Sequence, residues 1–210
     1  DLRNVWSLRS EAYVISNDCS PDSLVINSIV GAHVSVAESA AVCHSQLDAN
    51  KWEIGEGAFV CGVNDAGIGV DASIKIEPGV VVQQLRILLG SAGRHKSAWT
   101  VFGQTDALEA GGQLTAVGPQ GTFCNEDWGI FFARTGIKPS FLWDDGECQI
   151  AGTAKLFPLM SHTGNDVQLH DILWLQPGQK PTKAQISTWK SSWRVSHATL
   201  LRQSDLHNES

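Results

Sequence analysis

From Leu24 onward the sequence is ruled by a period of six: Leu24, Val30, Val36, Val42, Asp48, Ile54, Val60. Six of these seven are Leu, Ile or Val, while only 48 of the 210 residues are, so seven random positions would hold fewer than two. A helix repeats near 3.6 residues and a simple strand near 2, and six satisfies neither. It fits a strand of about four residues closed by a two-residue corner. The next phase (Val25, Gly31, Ala37, Cys43, Ala49, Gly55, Cys61) is nearly all small, and the phase Asn27, His33, Ser39, Ser45, Lys51, Gly57 reads as turn chemistry. The pattern predicts a mainly β chain: a left-handed parallel β-helix of the hexapeptide type, with Val30, Val36, Val42, Ile54 and Val60 filling a three-cornered interior. The handedness is taken from the repeat type. Three hexads complete a coil, so residues three hexads apart stack. Beyond Val60 the aliphatic step resumes at Val70, Ile76 and Val82, which a four-residue insertion in "NDAGIG" (64–69) explains.

Length and charge narrow the function classes. A chain of 210 residues suits one or two domains. The net charge is −7 and no basic run is interleaved with aromatics, which argues against nucleic acid as a partner. No apolar stretch is long enough to span a bilayer and no signal peptide opens the chain, so no membrane partner is expected. The first residue is Asp1 and the only methionine is Met160, which reads as a segment of a longer product. Five cysteines without C-x-x-C spacing point to a reducing, cytoplasmic compartment. Cys43 and Cys61 stack on adjacent coils at a separation that would permit a disulfide, and are read as two thiols in small-residue slots.

The organisation expected is a lead-in strand and linker over 1–19, the β-helix and following strands over 20–123, and a helical C-terminal segment over 124–210 that caps the solenoid. A glycine-containing loop, "LGSAGRHKS", leads into a strand from Trp99 to Phe102. "NEDWGIFFARTG" reads as a helix capped by Asn125 and stopped by Gly136. "DVQLHDILWLQPG" reads as a second helix. "PTKAQISTWKSSW" reads as a third, with Trp189 and Trp193 on one face as an interface for a neighbouring domain.

Few residues invite chemistry. His33 and His44 lie near corners, where hexapeptide acyltransferases place a general base; an independent acyltransferase is the third reading. Arg94, His95 and Lys96 form a compact cluster able to touch a sugar phosphate, although the loop fails the Walker spacing, since His95 and not glycine precedes Lys96. Asp144, Asp145 and Glu147 are turn-like, and no metal site is expected. No Ser/His/Asp arrangement stands out, and no catalytic residue is assigned.

Five segments occur in order: "AWTVFG" (98–103), "FFARTGI" with "LWD" (131–144), "AKLFP" (154–158), "DILWL" (171–175) and "WKSSWRVS" (189–196). Together they resemble the region that follows the nucleotidyltransferase-like domain of L-fucokinases, whose β-helix the related fucose-1-phosphate guanylyltransferases share. The resemblance implies a parent that phosphorylates fucose from ATP through a GHMP-type kinase domain, with Mg, and in some members makes GDP-fucose from GTP. This chain has neither the P-x-x-x-G-L-G-S-S loop nor the glycine-rich nucleotidyltransferase loop, so it needs no cofactor of its own. The expectation is a non-catalytic segment that orients the adjacent nucleotidyltransferase-like and kinase domains or forms a homo-oligomer contact. The alternative is a sugar-nucleotide or sugar-phosphate binding module.

Overall fold

A computed structural model describes residues 12–68, 73–89, 94–109, 118–157, 159–160 and 167–194. The chain divides into two compact units, 1–85 and 86–210.

The first unit is a parallel β-solenoid. Its strands are β1 (Tyr13–Val14), β2 (Leu24–Ile26), β3 (Ile29–Val30), β4 (Val34–Val36), β5 (Ala41–Cys43), β6 (Gln46–Leu47), β7 (Lys51–Ile54), β8 (Phe59–Cys61), β9 (Ser73–Ile76) and the start of β10 (Val80–Leu89). They stack into three ladders, β1–β3–β6, β4–β7–β9 and β2–β5–β8–β10, and every pairing is parallel. The mainly β, solenoidal expectation therefore holds. Strand β1 already pairs with β3, so the winding begins within the stretch read as a lead-in.

Pleating sends alternate side chains to opposite faces, and the inward set is aliphatic. Val30, Val36, Val42, Ile54 and Val60 are all 0–1% exposed. Two members of the six-residue series lie elsewhere. Leu24 is 43% exposed, and it is Val25 that stands in the column Val25–Val42–Val60–Val82. Asp48 is exposed, and Leu47 is buried in its stead beneath Val30. The cause is coil length. Val25 pairs with Val42 and Val30 with Leu47, 17 residues on, whereas Val42 pairs with Val60, 18 on. A coil one residue short moves the interior phase by one. Val60 in turn pairs with Val82, 22 residues on, so the four-residue insertion lies in this coil, around the 3-10 turn Asp65–Gly67.

Two corner columns need left-handed backbone. Asn27, His44 and Gly62 form one (φ 46°, 49° and 70°), and Ser39, Gly57 and Gly79 the other (57°, 64° and 66°). His44 is thus a turn residue in a column that also uses Asn and Gly. At the first of these corners a serine ladder ties coils together: Ser28 Oγ accepts from Ser45 N–H (3.0 Å), and Ser45 Oγ from Val63 N–H (3.1 Å). The interior phase is testable by contrast. Ile54→Ala should cost about 3 kcal/mol in urea unfolding, as for other buried aliphatics cut to Ala, and Leu24→Ser under about 0.5 kcal/mol, as at exposed sites. Equal losses would contradict this phase.

The second unit contains β11 (Arg94–Gly103), the hairpin β12 (Thr122–Phe123) and β13 (Glu126–Asp127), helix α1 (Trp128–Thr135), β14 (Leu159–Met160), helix α2 (Lys183–Ser191) and β15 (Trp193–Arg194). β14 pairs antiparallel with both β11 and β15. The strand expected from Trp99 begins at Arg94. The cap of α1 is Asp127, whose carboxylate accepts from Gly129 N–H (2.7 Å); Asn125 instead takes positive φ in the hairpin turn. Gly136 ends the helix at φ 69°. "QLHDILWL" is two 3-10 turns, Leu169–Asp171 and Leu173–Leu175, in place of the helix expected. Its fully buried residues Leu169, Ile172 and Leu175 recur every third position, the 3-10 period. Thr182 and Gln185 form the capping box of α2.

Candidate functional site

A groove of about 280 Å³ lies on the outer face of the β4–β7 ladder, lined by Asp18, Ala32, His33, Ser35, Lys51 and Trp52. The fold brings these together because Val34 pairs with Trp52, which sets His33 beside Lys51 on the adjoining coil. Asp18 is placed by its own C=O, which accepts from Val36 N–H (3.1 Å). Trp52 packs inward, its indole N–H donating to Asp65 Oδ2 (3.0 Å). The rim thus offers an exposed carboxylate, imidazole and ammonium to a polar solute. Of the two histidines considered as bases, His33 lines the groove and His44 sits at an exposed corner away from it.

Among the described residues, the buried carboxylates Asp65 and Asp106 and the half-buried Arg134, by contrast, brace the main chain. Asp65, wholly buried, accepts from the N–H groups of Asp48 (3.3 Å), Ala49 (3.2 Å) and Asn50 (3.1 Å) besides Trp52. Asp106 accepts from Gly103 N–H (2.6 Å), Cys124 N–H (2.6 Å), Asn125 N–H (3.1 Å) and Thr122 Oγ1–H (2.8 Å), clamping β11 to the β12–β13 hairpin. Arg134, on α1, reaches Glu126 Oε2 (2.7 Å) and donates to the carbonyls of Trp174 (2.8 Å), Leu175 (3.0 Å) and Gln179 (2.6 Å).

Burial pushes the Asp106 carboxyl up, while its four donors pull it partly back. A carboxyl raised in the folded state binds its proton more tightly there than in the unfolded chain. Its contribution to stability is complete below the ordinary carboxylate range and is lost as pH rises through the raised value. Comparing urea midpoints across pH for the native chain and Asp106→Asn should reveal that falling limb in the native chain only; parallel curves would refute it.

The five segments that carry the resemblance meet in one aromatic core, where Phe102 stacks on Phe157 (5.6 Å) and Phe131 on Trp174 (6.5 Å). Phe123 contacts Trp128, Phe131 and Phe157 at 5.2–6.1 Å between centroids, and Trp128 meets Trp143 at 4.9 Å. Trp174 meets Trp189 at 6.3 Å, and Trp189 donates to Lys155 C=O (3.2 Å). Trp189 is therefore buried in its own unit. Trp193 lies beyond the end of α2, on β15, so the two tryptophans do not share a helix face; its side chain lies outside the described residues.

Arg94, His95 and Lys96 lie on strand β11, not in a loop, and their side chains also lie outside the described residues. In the acidic turn Asp144 pairs with Lys155, and Glu147 accepts from Asp144 N–H (2.7 Å). Among the described residues no three His, Cys, Asp or Glu gather to hold a metal ion. All five cysteines are free thiols, with Cys43 and Cys61 directly paired across adjacent coils. Burial pushes the thiols of Cys19, Cys43, Cys61 and Cys124 up, which disfavours the nucleophilic thiolate. Among the described residues no helix is long and apolar enough to cross a membrane.

These features define a β-solenoid domain followed by an aromatic-cored mixed unit, with its buried charges committed to architecture. The model of the fucose pyrophosphorylase domain matches residues 2–162, and the chain belongs to that family. Its role accordingly lies in fucose metabolism. No curated protein and no solved structure matches it.

Proposed function

We propose that this chain is a non-catalytic β-solenoid segment of an L-fucokinase or GDP-fucose-forming enzyme of fucose salvage in the cytoplasm. It orients the flanking nucleotidyltransferase-like and kinase domains, which carry the ATP, GTP and Mg chemistry, or provides an oligomer contact. The observation that carries this reading is the use of the buried charges. Asp65, Asp106 and Arg134 are all saturated by main-chain or structural partners, whereas catalytic groups must face a reacting atom. A rigid, parallel-stacked rod suits spacing better than chemistry.

Calorimetry and thermal shift with fucose 1-phosphate, GDP-fucose and the Mg complexes of ATP and GTP test it. No heat and no change in Tm are expected. Saturable binding abolished by Arg94→Ala with Lys96→Ala would replace the scaffold reading with a sugar-phosphate module. Binding abolished by His33→Ala or Lys51→Ala would place that module in the groove.

A further inference from the structure

We infer that Cys43 and Cys61 form a two-thiolate binding site for a soft d10 cation of the Cu(I) type, held between adjacent coils of the solenoid. The two residues are register partners on the parallel strands β5 and β8. Their side chains therefore leave the same face of the ladder, opposite to the face of the interior pair Val42 and Val60. The column continues to Ile26 on one side and to Gln83 on the other. Cys43 is 9% exposed and Cys61 is half-buried, so the pair is sheltered but reachable through Cys61. Both are free thiols, and among the described residues neither sulfur takes part in a hydrogen bond.

The ligand class follows from spacing and from ligand count. Neighbouring strands lie about 4.8 Å apart. A disulfide draws its Cβ atoms to about 3.5–4.5 Å, closer than register partners of a parallel ladder stand. A metal–thiolate bond is about 2.3 Å, so a linear S–M–S bridge spans about 4.6 Å, close to the strand spacing. No third His, Cys, Asp or Glu joins the pair among the described residues, which leaves a four-coordinate ion such as Zn2+ two protein ligands short. Thiolates select soft ions, Cu(I) among them. Burial, and after it the neighbouring Cys61 sulfur, push the Cys43 thiol up, and burial pushes up the Cys61 thiol. A cation between the two sulfurs offsets both effects. On binding, both S–H bonds break, two Cu–S bonds form, the two protons leave to solvent, and no oxidation state changes.

Titration of the intact, reduced chain with Cu(I) under anaerobic conditions, in competition with the chromophoric chelator bicinchoninate, tests this. One Cu(I) per chain should be retained. Its apparent affinity should fall ~100-fold for each unit by which pH falls, because two protons compete for the site. Cys43→Ser and Cys61→Ser should each weaken retention by more than ~100-fold, the upper figure for losing a mere supporting contact, whereas Cys148→Ser leaves it unchanged. Alkylation of the native chain, read by peptide mass, needs no variant: Cu(I) should shield Cys61 from iodoacetamide and leave Cys148 reactive. Equal alkylation of Cys61 with and without Cu(I) overturns the inference. So does a chain that retains no Cu(I), retention that survives both serine variants, a pH dependence of a single proton, or one ion held per two chains.

Discussion

Replacing Asp65 with alanine is expected to cost the solenoid about 4 kcal/mol, because it strands several buried donors at about 1 kcal/mol or more each. The carboxylate holds three consecutive N–H groups, of Asp48, Ala49 and Asn50, and the Trp52 indole. It sits in the interior column one coil beyond Leu47, since Gln46 bridges to Asn64. No water reaches the site to replace it, for Asp65 is wholly buried. Asp65→Asn retains one acceptor oxygen but sets an NH2 group against the remaining donors, so about half that loss is expected. Urea unfolding read by tryptophan fluorescence measures both. A loss under about 1 kcal/mol for the alanine variant would mean that these hydrogen bonds contribute little net stability.

The second large effect is expected at Arg134. Its guanidinium and the Glu126 carboxylate are 12% and 8% exposed, and the same fork closes on three carbonyls of the 174–179 turn. Arg134→Met leaves Glu126 buried without its counter-charge and should cost about 4 kcal/mol, in the range for breaking one half of a buried pair. Arg134→Lys keeps the charge without the planar fork and should recover less than half of this. In the double variant Arg134→Met with Glu126→Gln, the loss should fall well short of the sum of the singles, since the stranded carboxylate is gone. Strict additivity in that cycle would show that the pair does not act as a unit.

Much of the solenoid was legible because its contacts are periodic and local. Val30, Val36, Val42, Ile54 and Val60 were recognisable as interior from spacing alone, and the slip after Val60 revealed four extra residues. What spacing cannot locate is a coil one residue short: the six-residue count runs through Leu24 and Asp48, whereas Val25 and Leu47 stand in the stacked columns. Asp65 is hard to single out because an acid beside an insertion resembles turn chemistry. The available signal was an acid one coil beyond buried Leu47, near a tryptophan. Arg134 falls in the last turn of its helix, and since its carbonyl partners lie about 40 residues away no local pattern announces them. Placing Trp189 and Trp193 on one face requires an unbroken helix, and α2 ends at Ser191. The 169–175 stretch reads as a helix from its apolar run, whereas it forms two 3-10 turns whose buried residues recur at three.

The unequal coil lengths carry a consequence for engineering. The rungs on either side of the 63–73 stretch remain aligned, Trp52 on Ile74 and Val60 on Val82, although this coil is four residues longer than its neighbour. Alignment is thus indexed by side-chain columns and not by residue count. A peptide tag or a genetically encoded probe grafted in this stretch would be absorbed as a longer excursion, and the stack above and below would keep its pitch.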